Sequence, residues 1–117
     1  KDLSIIIVTY NNLEYIAPCL YSIYNQKTSL SYEVIIFDNN STDRTVSLIR
    51  NQFEDVILIV NDKNIGFAAA SNRAVKKSNS ETLFFLNPDT KLTDNALGAL
   101  FKEISKYKND KIIMVPM

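Results

Sequence analysis

Five short, nearly continuous apolar runs alternate with longer stretches of helical period, and this alternation constrains the fold more than any other feature of the sequence. The runs are rich in Ile, Val or Phe and lack a polar residue at every second position. This pattern is typical of strands buried on both faces of a parallel sheet. The predicted strands lie at residues 3–8, 32–37, 55–60, 82–86 and 111–115.

The stretches between the runs predict helices, because their apolar residues recur at intervals of three or four. Helices that join successive parallel strands make right-handed crossovers and cover both faces of the sheet. We therefore predict an α/β fold, with a doubly wound, mostly parallel, Rossmann-like sheet in the strand order 3-2-1-4. No linker or repeat divides the chain, so we expect residues 1–117 to form a single domain. The predicted helices cover residues 13–26, 42–52, 67–78 and 94–107.

The composition excludes several classes of partner and compartment. The 13 basic and 13 acidic side chains cancel, so no overall field draws the chain to nucleic acid or to an anionic membrane. The first apolar run is too short to span a membrane. Cys19, the one cysteine, lies in line with Ile16 and Leu20, which predicts a buried thiol, and no histidine exists to activate it. Without an internal disulfide, we expect a cytoplasmic protein, with any membrane association carried by segments outside this sequence.

Polar clusters follow the first four predicted strands, at the end of the sheet where open α/β domains bind their ligands. The clusters read TYNN at 9–12, DNNSTD at 38–43, NDKNIG at 61–66 and NPDT at 87–90. The first, second and fourth strands are neighbours in the predicted order, so three of these clusters share one crevice. We expect a ligand site there.

Helix capping accounts for part of these clusters. Ser41 or Thr42 is the predicted cap of the second helix, which leaves Asp38 and Asn39 without a structural task unless an Asx turn occupies one of them. We interpret these two residues as candidates for ligand binding. Alternatives stay open for TYNN, because its asparagines could cap a helix and Tyr10 could pack against neighbours.

The cluster NPDT predicts a metal site. Thr93 is the predicted cap of the next helix, so Asp89 is not needed for capping, and Pro88 stiffens the corner from which the acid projects. Mg²⁺ or Mn²⁺ takes one or two carboxylates, and water and phosphate oxygens complete the shell. A plain surface turn is the alternative, since Asn-Pro-Asp also suits a turn.

Glycine is scarce, and Gly66 and Gly98 are the only two in the chain. The sequence therefore lacks both the G-x-G-x-x-G and the P-loop patterns, which disfavours dinucleotide cofactors and P-loop chemistry. A diphosphate could instead be neutralised by a cation on Asp89, helped by the N–H groups of the helix that starts after Gly66.

Four segments in order, SIIIVTYNN, EVIIFDNNSTD, NIGFAAASN and LFFLNPDT, resemble the nucleotide-binding half of family 2 glycosyltransferases, which have the GT-A fold. The sequence is most similar to the rhamnosyltransferase-like branch of bacterial cell-surface polysaccharide synthesis. The resemblance implies transfer of a sugar from a nucleotide diphosphate sugar, most often a UDP- or dTDP-sugar, with inversion and with Mg²⁺ or Mn²⁺. The acceptor would be a hydroxyl of a carbohydrate or a lipid-linked carbohydrate.

The resemblance also implies roles for residues after the first two strands. By this similarity Thr9, Tyr10 and Asn11 line the nucleotide pocket. Asp38 and Asn39 correspond to residues that meet the base and the ribose.

Further roles are implied for residues later in the chain. Gly66, Asn72 and Arg73 correspond to the pyrophosphate side of the site. Asn87 and Asp89 stand at the two acidic positions of the family's D-x-D motif, so Asp89 is the implied metal ligand.

Two departures from the family pattern bear on activity. Asn39 and Asn87 stand where many members carry aspartate, which leaves one charged metal ligand. Members also continue beyond the matched region, and that later part supplies the acceptor site and the general base, so we expect the chain alone to be inactive. The alternatives are a non-catalytic nucleotide-binding or interaction module of the same fold, and a nucleotidyltransferase, which would usually show a glycine-rich phosphate loop.

Overall fold

The computed structural model describes residues 1–106 and the strand at 112–115, and it shows an α/β fold in which strands and helices alternate. The elements in chain order are β1 (Leu3–Thr9), α1 (Ile16–Tyr24), β2 (Tyr32–Asp38), α2 (Thr45–Gln52), β3 (Ile57–Val60), α3 (Phe67–Val75), β4 (Leu83–Leu86), α4 (Ala96–Ile104) and β5 (Ile112–Val115).

The five strands form one parallel sheet in the order β3-β2-β1-β4-β5. The predicted order of the first four strands is confirmed, and β5 extends the sheet beyond β4. Strand β1 is central, since Ile5 pairs with Val34 of β2 on one side and with Phe84 of β4 on the other. The carboxyl ends of β2, β1 and β4 therefore meet at one edge of the sheet.

Side chains on both faces of β1 and β2 are buried, which explains why these two apolar runs are continuous. On one face Ile6 packs with Ala70 and Ala74 of α3. On the other face Ile5 and Ile7 belong to the larger core that α1, α2 and α4 complete. The doubly wound arrangement predicted from the sequence is thus confirmed. The edge strand β3 exposes Ile57 and Val60, so the prediction of burial on both faces is wrong for that strand.

Cys19 is fully buried, as predicted, among the apolar side chains of α1 and the sheet. Burial, together with the negative charge of Asp89, raises the pKa of the Cys19 thiol to about 12. The thiol therefore stays protonated at neutral pH and is a poor nucleophile.

Three of the four helices begin two or three residues later than predicted, whereas α3 begins at the expected residue. The residues before α1 and α4 form turns instead. The main-chain oxygen of Asn12 accepts hydrogen bonds from Tyr15 and Ile16, and that of Thr93 accepts one from Ala96. These turns occupy the positions where the periodic pattern suggested a first helical turn.

The predicted caps of α2 and α4 are wrong. Their N-cap residues are Arg44 and Asn95, and neither side chain makes a capping hydrogen bond. Helix α4 is held instead by Gln26, whose Oε1 accepts a 3.0 Å hydrogen bond from the N–H of Leu97. The Nε2 of Gln26 donates to the main-chain oxygen of Thr93. A side chain that follows α1 thus satisfies a free donor at the start of α4.

No helix among the described residues is long and apolar enough to cross a membrane. The predicted helix end at residue 107 and the predicted strand start at residue 111 lie outside the described residues.

Candidate functional site

Asp38 lies at the end of β2, directly beside Thr9 at the end of β1, and both side chains are fully buried. Asp38 Oδ1 accepts hydrogen bonds from the hydroxyls of Thr9, at 2.7 Å, and Ser41, at 2.6 Å. Its Oδ2 accepts a 2.8 Å bond from the N–H of Ser41. The expectation that Asp38 has no structural task is therefore wrong, because its carboxylate organises the loop after β2.

Asn11 holds the loop that precedes α2, although it does not cap the helix itself. Its backbone has a left-handed φ of 54°, which asparagine tolerates better than most residues. Its Oδ1 accepts hydrogen bonds from the N–H groups of Thr42 and Asp43, at 2.7 and 3.2 Å. Its own N–H donates to Ser41 Oγ at 2.9 Å. Asn11 therefore joins the loop after β1 to the loop that leads into α2.

Asp43 completes the connection between these two loops. Its carboxylate accepts a 2.9 Å hydrogen bond from the N–H of Thr45 at the start of α2 and a 3.3 Å bond from the N–H of Leu13. Desolvation alone would raise the pKa of Asp43, but the hydrogen bonds from Thr45 and Leu13 outweigh it, so the pKa lies below its ordinary value. Asp43 is thus a charged acceptor that fixes the start of α2.

Asn39 is almost fully buried and connects β2 to the loop before α3. Its Nδ2 donates a 3.2 Å hydrogen bond to the main-chain oxygen of Gly66, and its Oδ1 accepts a 3.1 Å bond from the N–H of Ile65. Its own N–H donates to the main-chain oxygen of Thr9 at 2.8 Å. Asn39 therefore has a structural task as well, which corrects the interpretation from sequence.

Gly66 is the N-cap residue of α3 and has a φ of 84°, a conformation that side chains other than glycine rarely adopt. No side chain caps this helix, and its first turn carries no acid. A Cβ at Gly66 would meet no atom within 4 Å, so the glycine is required by its backbone conformation and not by lack of space. The start of α3 is therefore open to an anion.

Asn72 and Arg73 lie on the exposed side of α3, whereas Ala70, Ser71 and Ala74 of the same helix are buried. Among the described residues, no hydrogen bond or ion pair joins Asn72 or Arg73 to the strand ends. Tyr10 is also exposed, with 48% of its surface accessible. These side chains are available to a ligand but are not held in place by the fold.

Residues 87–90 form a turn, in which the N–H of Thr90 donates a 3.0 Å hydrogen bond to the main-chain oxygen of Asn87. The surface turn considered from the sequence is therefore present. Asn87 is half-buried, and Asp89 is exposed with no hydrogen bond described for its carboxylate. The Cys19 thiol of α1 donates a long, 3.9 Å hydrogen bond to the main-chain oxygen of Asn87, so this turn lies on the α1 side of the sheet.

Asp89 fits a metal site in which a bound phosphate supplies some of the ligands. Within the part of the chain that the structure describes, no group of three His, Cys, Asp or Glu residues is placed to hold a metal ion. Those residues therefore contain no metal site in which three or more such side chains supply the ligands. Mg²⁺ and Mn²⁺ sites that share their ligands with a bound phosphate need only one or two carboxylates, and an exposed, unengaged carboxylate meets that need.

The fold joins five of the predicted site residues through hydrogen bonds and leaves the others separate. Thr9, Asn11, Asp38, Asn39 and Gly66 are linked directly or through one residue. Sequence reasoning missed the organising roles of Ser41 and Asp43.

Comparison with known proteins identifies a family. The family model described as "Glycosyl transferase family 2" matches residues 4–117. Poly(ribitol-phosphate) beta-N-acetylglucosaminyltransferase TarP of Staphylococcus aureus (strain N315) is 34% identical over 117 residues, which cover 97% of this chain and 36% of TarP. The chain spans between 16% and 36% of the length of the first curated relatives that it matches.

Two solved structures share the fold. S. aureus TarS 1–349 in complex with UDP-GlcNAc superposes with a TM-score of 0.79 at 26% identity, over 92% of this chain and 32% of the TarS chain. The mannosyltransferase PcManGT from Pyrobaculum calidifontis, in complex with GDP-Man and Mn²⁺, superposes with a TM-score of 0.69 at 29% identity. That match covers 74% of this chain and 27% of PcManGT.

Proposed function

This chain belongs to glycosyl transferase family 2, and from that membership we propose that residues 1–117 form the donor-binding unit of a glycosyltransferase. The enzyme would transfer a sugar from a nucleotide diphosphate sugar to an acceptor hydroxyl, with inversion at the transferred carbon. The relatives are longer than this chain, which supports the view that acceptor binding and the general base come from other parts of the protein.

One observation carries the proposal: two acids at the carboxyl ends of β2 and β4, the strands on either side of β1, are in opposite states. Asp38 is buried and accepts three hydrogen bonds from Thr9 and Ser41. Asp89 is exposed and has no hydrogen bond described for its carboxylate. A carboxylate that is already satisfied shapes a pocket, whereas an unengaged one is free to bind a cation.

The nucleoside would bind where β1 and β2 end. Thr9, Asn11, Asp38 and Asn39 would form its floor, since their hydrogen bonds hold the two loops in fixed positions. The exposed ring of Tyr10 could stack on the base, because every base offers an aromatic face. In this proposal Asp38 and Asn39 act mainly by positioning the loops, which differs from the direct contacts that the resemblance implies.

The diphosphate would lie between α3 and the turn after β4. The uncapped first turn of α3 at Gly66 offers N–H donors, and Arg73 adds a positive charge from the exposed side of the helix. Asn72 is exposed beside Arg73 and could donate to a phosphate oxygen. Each of these groups favours negative charge on the leaving diphosphate.

Asp89 would hold Mg²⁺ or Mn²⁺ together with oxygens of the diphosphate, and the amide oxygen of Asn87 could contribute to the same site. When bound, the cation supplies neutralisation of the charge that develops on the diphosphate as its bond to the sugar breaks. The Mn²⁺ in the PcManGT complex supports this proposal, because that protein shares the fold.

The relatives support a nucleotide diphosphate sugar as donor and a cell-surface glycopolymer as acceptor. TarS was crystallised with UDP-GlcNAc, and TarP is named for transfer to poly(ribitol phosphate). We therefore favour a UDP-sugar for this chain. The rhamnosyltransferase-like branch and a cytoplasmic location stay predictions.

Calorimetric titration of the chain with UDP, dTDP and GDP, each with and without Mn²⁺, tests the proposal. We expect metal-dependent binding that Asp89→Ala weakens at least on the order of tenfold, the scale measured for loss of groups that support a metal. Asp94→Ala is the matched control, because Asp94 is another exposed acid after β4. Nucleotide binding that ignores both Mn²⁺ and Asp89→Ala would instead support the non-catalytic module.

A further inference from the structure

An aromatic groove of about 430 Å³ lies at the C-terminal ends of α1 and α2. These helix ends are remote from the carboxyl ends of the strands, where the candidate site lies. Its apolar wall consists of Tyr21, Tyr24 and Phe53. The rings of Tyr21 and Phe53 meet edge to face with centroids 4.9 Å apart, and those of Tyr24 and Phe53 are stacked at 6.2 Å. The three rings therefore form one cluster, in which Tyr21 is exposed and Phe53 is buried.

The rim of this groove is acidic. Glu54 and Asp55 line it, and none of the residues that line it is basic. Both acids are exposed, and within residues 1–106 neither makes an ion pair. The field at the groove is therefore negative, although the chain as a whole has a formal net charge of 0.

Two helix ends add to this field. Helices α1 and α2 end at Tyr24 and Gln52, both of which line the groove, so the partial negative charge of each helix C-terminus falls there. The last turn of α1 carries no basic residue, whereas that of α2 carries Arg50, which does not line the groove. A positively charged ligand would meet two carboxylates and two helix C-termini at one place.

A second groove of about 370 Å³ continues from the first and shares Tyr24 and Asp55 with it. Tyr32 lines the second groove, and its ring centroid is 6.1 Å from that of Tyr24. Lys1 is the one base among the residues that line it. Together the two grooves suit an extended ligand better than a single small ion.

We propose that the aromatic groove binds an arginine-bearing polypeptide segment of a partner protein. A guanidinium is planar, stacks on the faces of aromatic rings such as the exposed ring of Tyr21, and donates paired hydrogen bonds to carboxylates such as Glu54 and Asp55. The extended backbone of the segment continues past Tyr24 into the second groove. This interaction is separate from donor binding, which uses the opposite ends of β1 and β2.

The test uses a synthetic peptide, acetyl-Gly-Arg-Gly-Arg-Gly-amide, and NMR titration of the isotope-labelled chain. We expect chemical-shift changes at Tyr21, Tyr24 and Phe53, with a Kd of about 1 mM or tighter, as one cation–π contact and two surface ion pairs allow. The same peptide with citrulline in place of arginine keeps the shape but lacks the charge, and it should bind at least roughly tenfold more weakly.

Variants of the rim and of the wall sharpen the test. Glu54→Gln combined with Asp55→Asn should weaken the arginine peptide roughly fivefold or more, and Tyr24→Leu should weaken it while keeping an apolar side chain. Glu14→Gln combined with Asp62→Asn removes the same charge from exposed positions elsewhere and should leave the Kd unchanged. Thermal unfolding of each variant confirms that the fold is kept.

Three results would overturn the proposal. Equal binding of the arginine and citrulline peptides would mean that the groove does not select charge. Equal weakening by the rim variant and by the control variant would mean that only overall charge matters. Concentration-dependent self-association of the chain, abolished by Tyr21→Ala in sedimentation experiments, would identify a second copy of this chain as the occupant.

Discussion

Thr9 and Asp38 face each other across the β1–β2 pair, and the Thr9 hydroxyl donates a 2.7 Å hydrogen bond to Asp38 with both side chains fully buried. A hydroxyl–carboxylate hydrogen bond also joins the two strands at the other end of the pair. There the Ser4 hydroxyl donates a 2.6 Å bond to Glu33 Oε2. The central strands are therefore fixed at both ends by carboxylates of β2 that accept from hydroxyls of β1.

Asp38→Ala should lower the free energy of unfolding by about 3 kcal/mol, because it leaves the Thr9 hydroxyl and two Ser41 donors without their buried acceptor. Thr9→Val keeps the shape of the side chain, and we expect it to cost about 1 to 2 kcal/mol. Urea denaturation measures both.

Asp89→Ala serves as the control for Asp38→Ala, since the side chain is exposed and its loss should change stability by less than about 0.5 kcal/mol. The two substitutions would then have different effects: Asp38→Ala would lower stability, and Asp89→Ala would weaken metal-dependent nucleotide binding. If the urea concentration at the unfolding midpoint were the same for Asp38→Ala and the parent, the buried hydrogen bonds would contribute no net stability.

The fold was predictable from sequence because strands buried on both faces must be apolar at nearly every position. That requirement accounts for the runs of β1 and β2, whereas β3 is partly exposed at the edge of the sheet, and the burial of Cys19 followed from its helical spacing. The hydrogen bonds that hold the helix starts and the loops before them were not predictable, because local reasoning assigns a helix start to a nearby side chain. Here the acceptor for Thr42 and Asp43 is Asn11, about thirty residues earlier, and only the parallel pairing of β1 and β2 brings them together.

The strand order that brings the polar clusters to one edge of the sheet was predictable, but the roles of single residues were predictable only in part. The order of the strands dictated which polar clusters meet, and the structure confirms that order. Asp38 and Asn39 were interpreted as unengaged because they have partners that are distant in sequence, Thr9 for Asp38 and residues 65–66 for Asn39, and a sequence does not reveal such partners. Asp89 has no partner described, which is consistent with its interpretation as a ligand-binding acid.

Asn39→Asp should destabilise the chain in a pH-dependent manner. Asn39 donates to the main-chain oxygen of Gly66 and accepts from the N–H of Ile65, and an ionised carboxylate can only accept. We expect a loss of about 2 to 4 kcal/mol at pH 7, because a buried charge would face a carbonyl oxygen. Burial should raise the folded-state pKa of the new carboxyl. The loss of unfolding free energy relative to the parent is therefore complete only at pH values above this raised pKa.

The deficit of Asn39→Asp should shrink as the pH falls, since a protonated carboxyl donates and accepts as the amide does. Urea denaturation of this variant and of the parent, measured in parallel from pH 7 to pH 4, gives the difference directly. Asn40→Asp makes the same change at an exposed neighbouring position and should show little deficit at any pH. A deficit for Asn39→Asp that does not vary with pH would contradict this role for the amide.

Glu33 makes the stability of the chain depend on acidity. Burial alone would raise the pKa of Glu33, but hydrogen bonds from Ser4 and Asn79, helped by the charge of Lys1, bring it below its ordinary value of 4.5. A carboxyl with a lowered pKa stabilises the fold above its ordinary pKa, and this contribution disappears as the pH falls through the folded-state value. The chain should therefore lose stability below about pH 4.5.

Glu33→Gln should reduce the loss of stability that occurs at low pH. The glutamine Oε1 can still accept the bonds that Glu33 Oε2 receives from Ser4 and Asn79, at 2.6 and 2.7 Å, but as a neutral acceptor. We expect a cost of about 1 kcal/mol at pH 7 and a flatter acid limb in plots of unfolding free energy against pH. Glu14→Gln, at an exposed position, should leave the acid limb unchanged. Parallel acid limbs for Glu33→Gln and the parent would assign the pH dependence to other carboxylates.

Phe84 and Phe85 are adjacent in β4 but should differ in their contribution to stability. Phe84 is fully buried in the larger core and pairs with Ile5 of the central strand, whereas Phe85 is half-buried against the α3 side. Phe84→Ala should therefore cost about 3 to 5 kcal/mol and Phe85→Ala roughly half as much. Thermal or urea unfolding ranks the two. Because Asn87 and Asp89 follow this strand directly, a larger cost for Phe85→Ala would mean that β4 is rotated. The turn that carries Asp89 would then face the α3 side of the sheet instead of the α1 side.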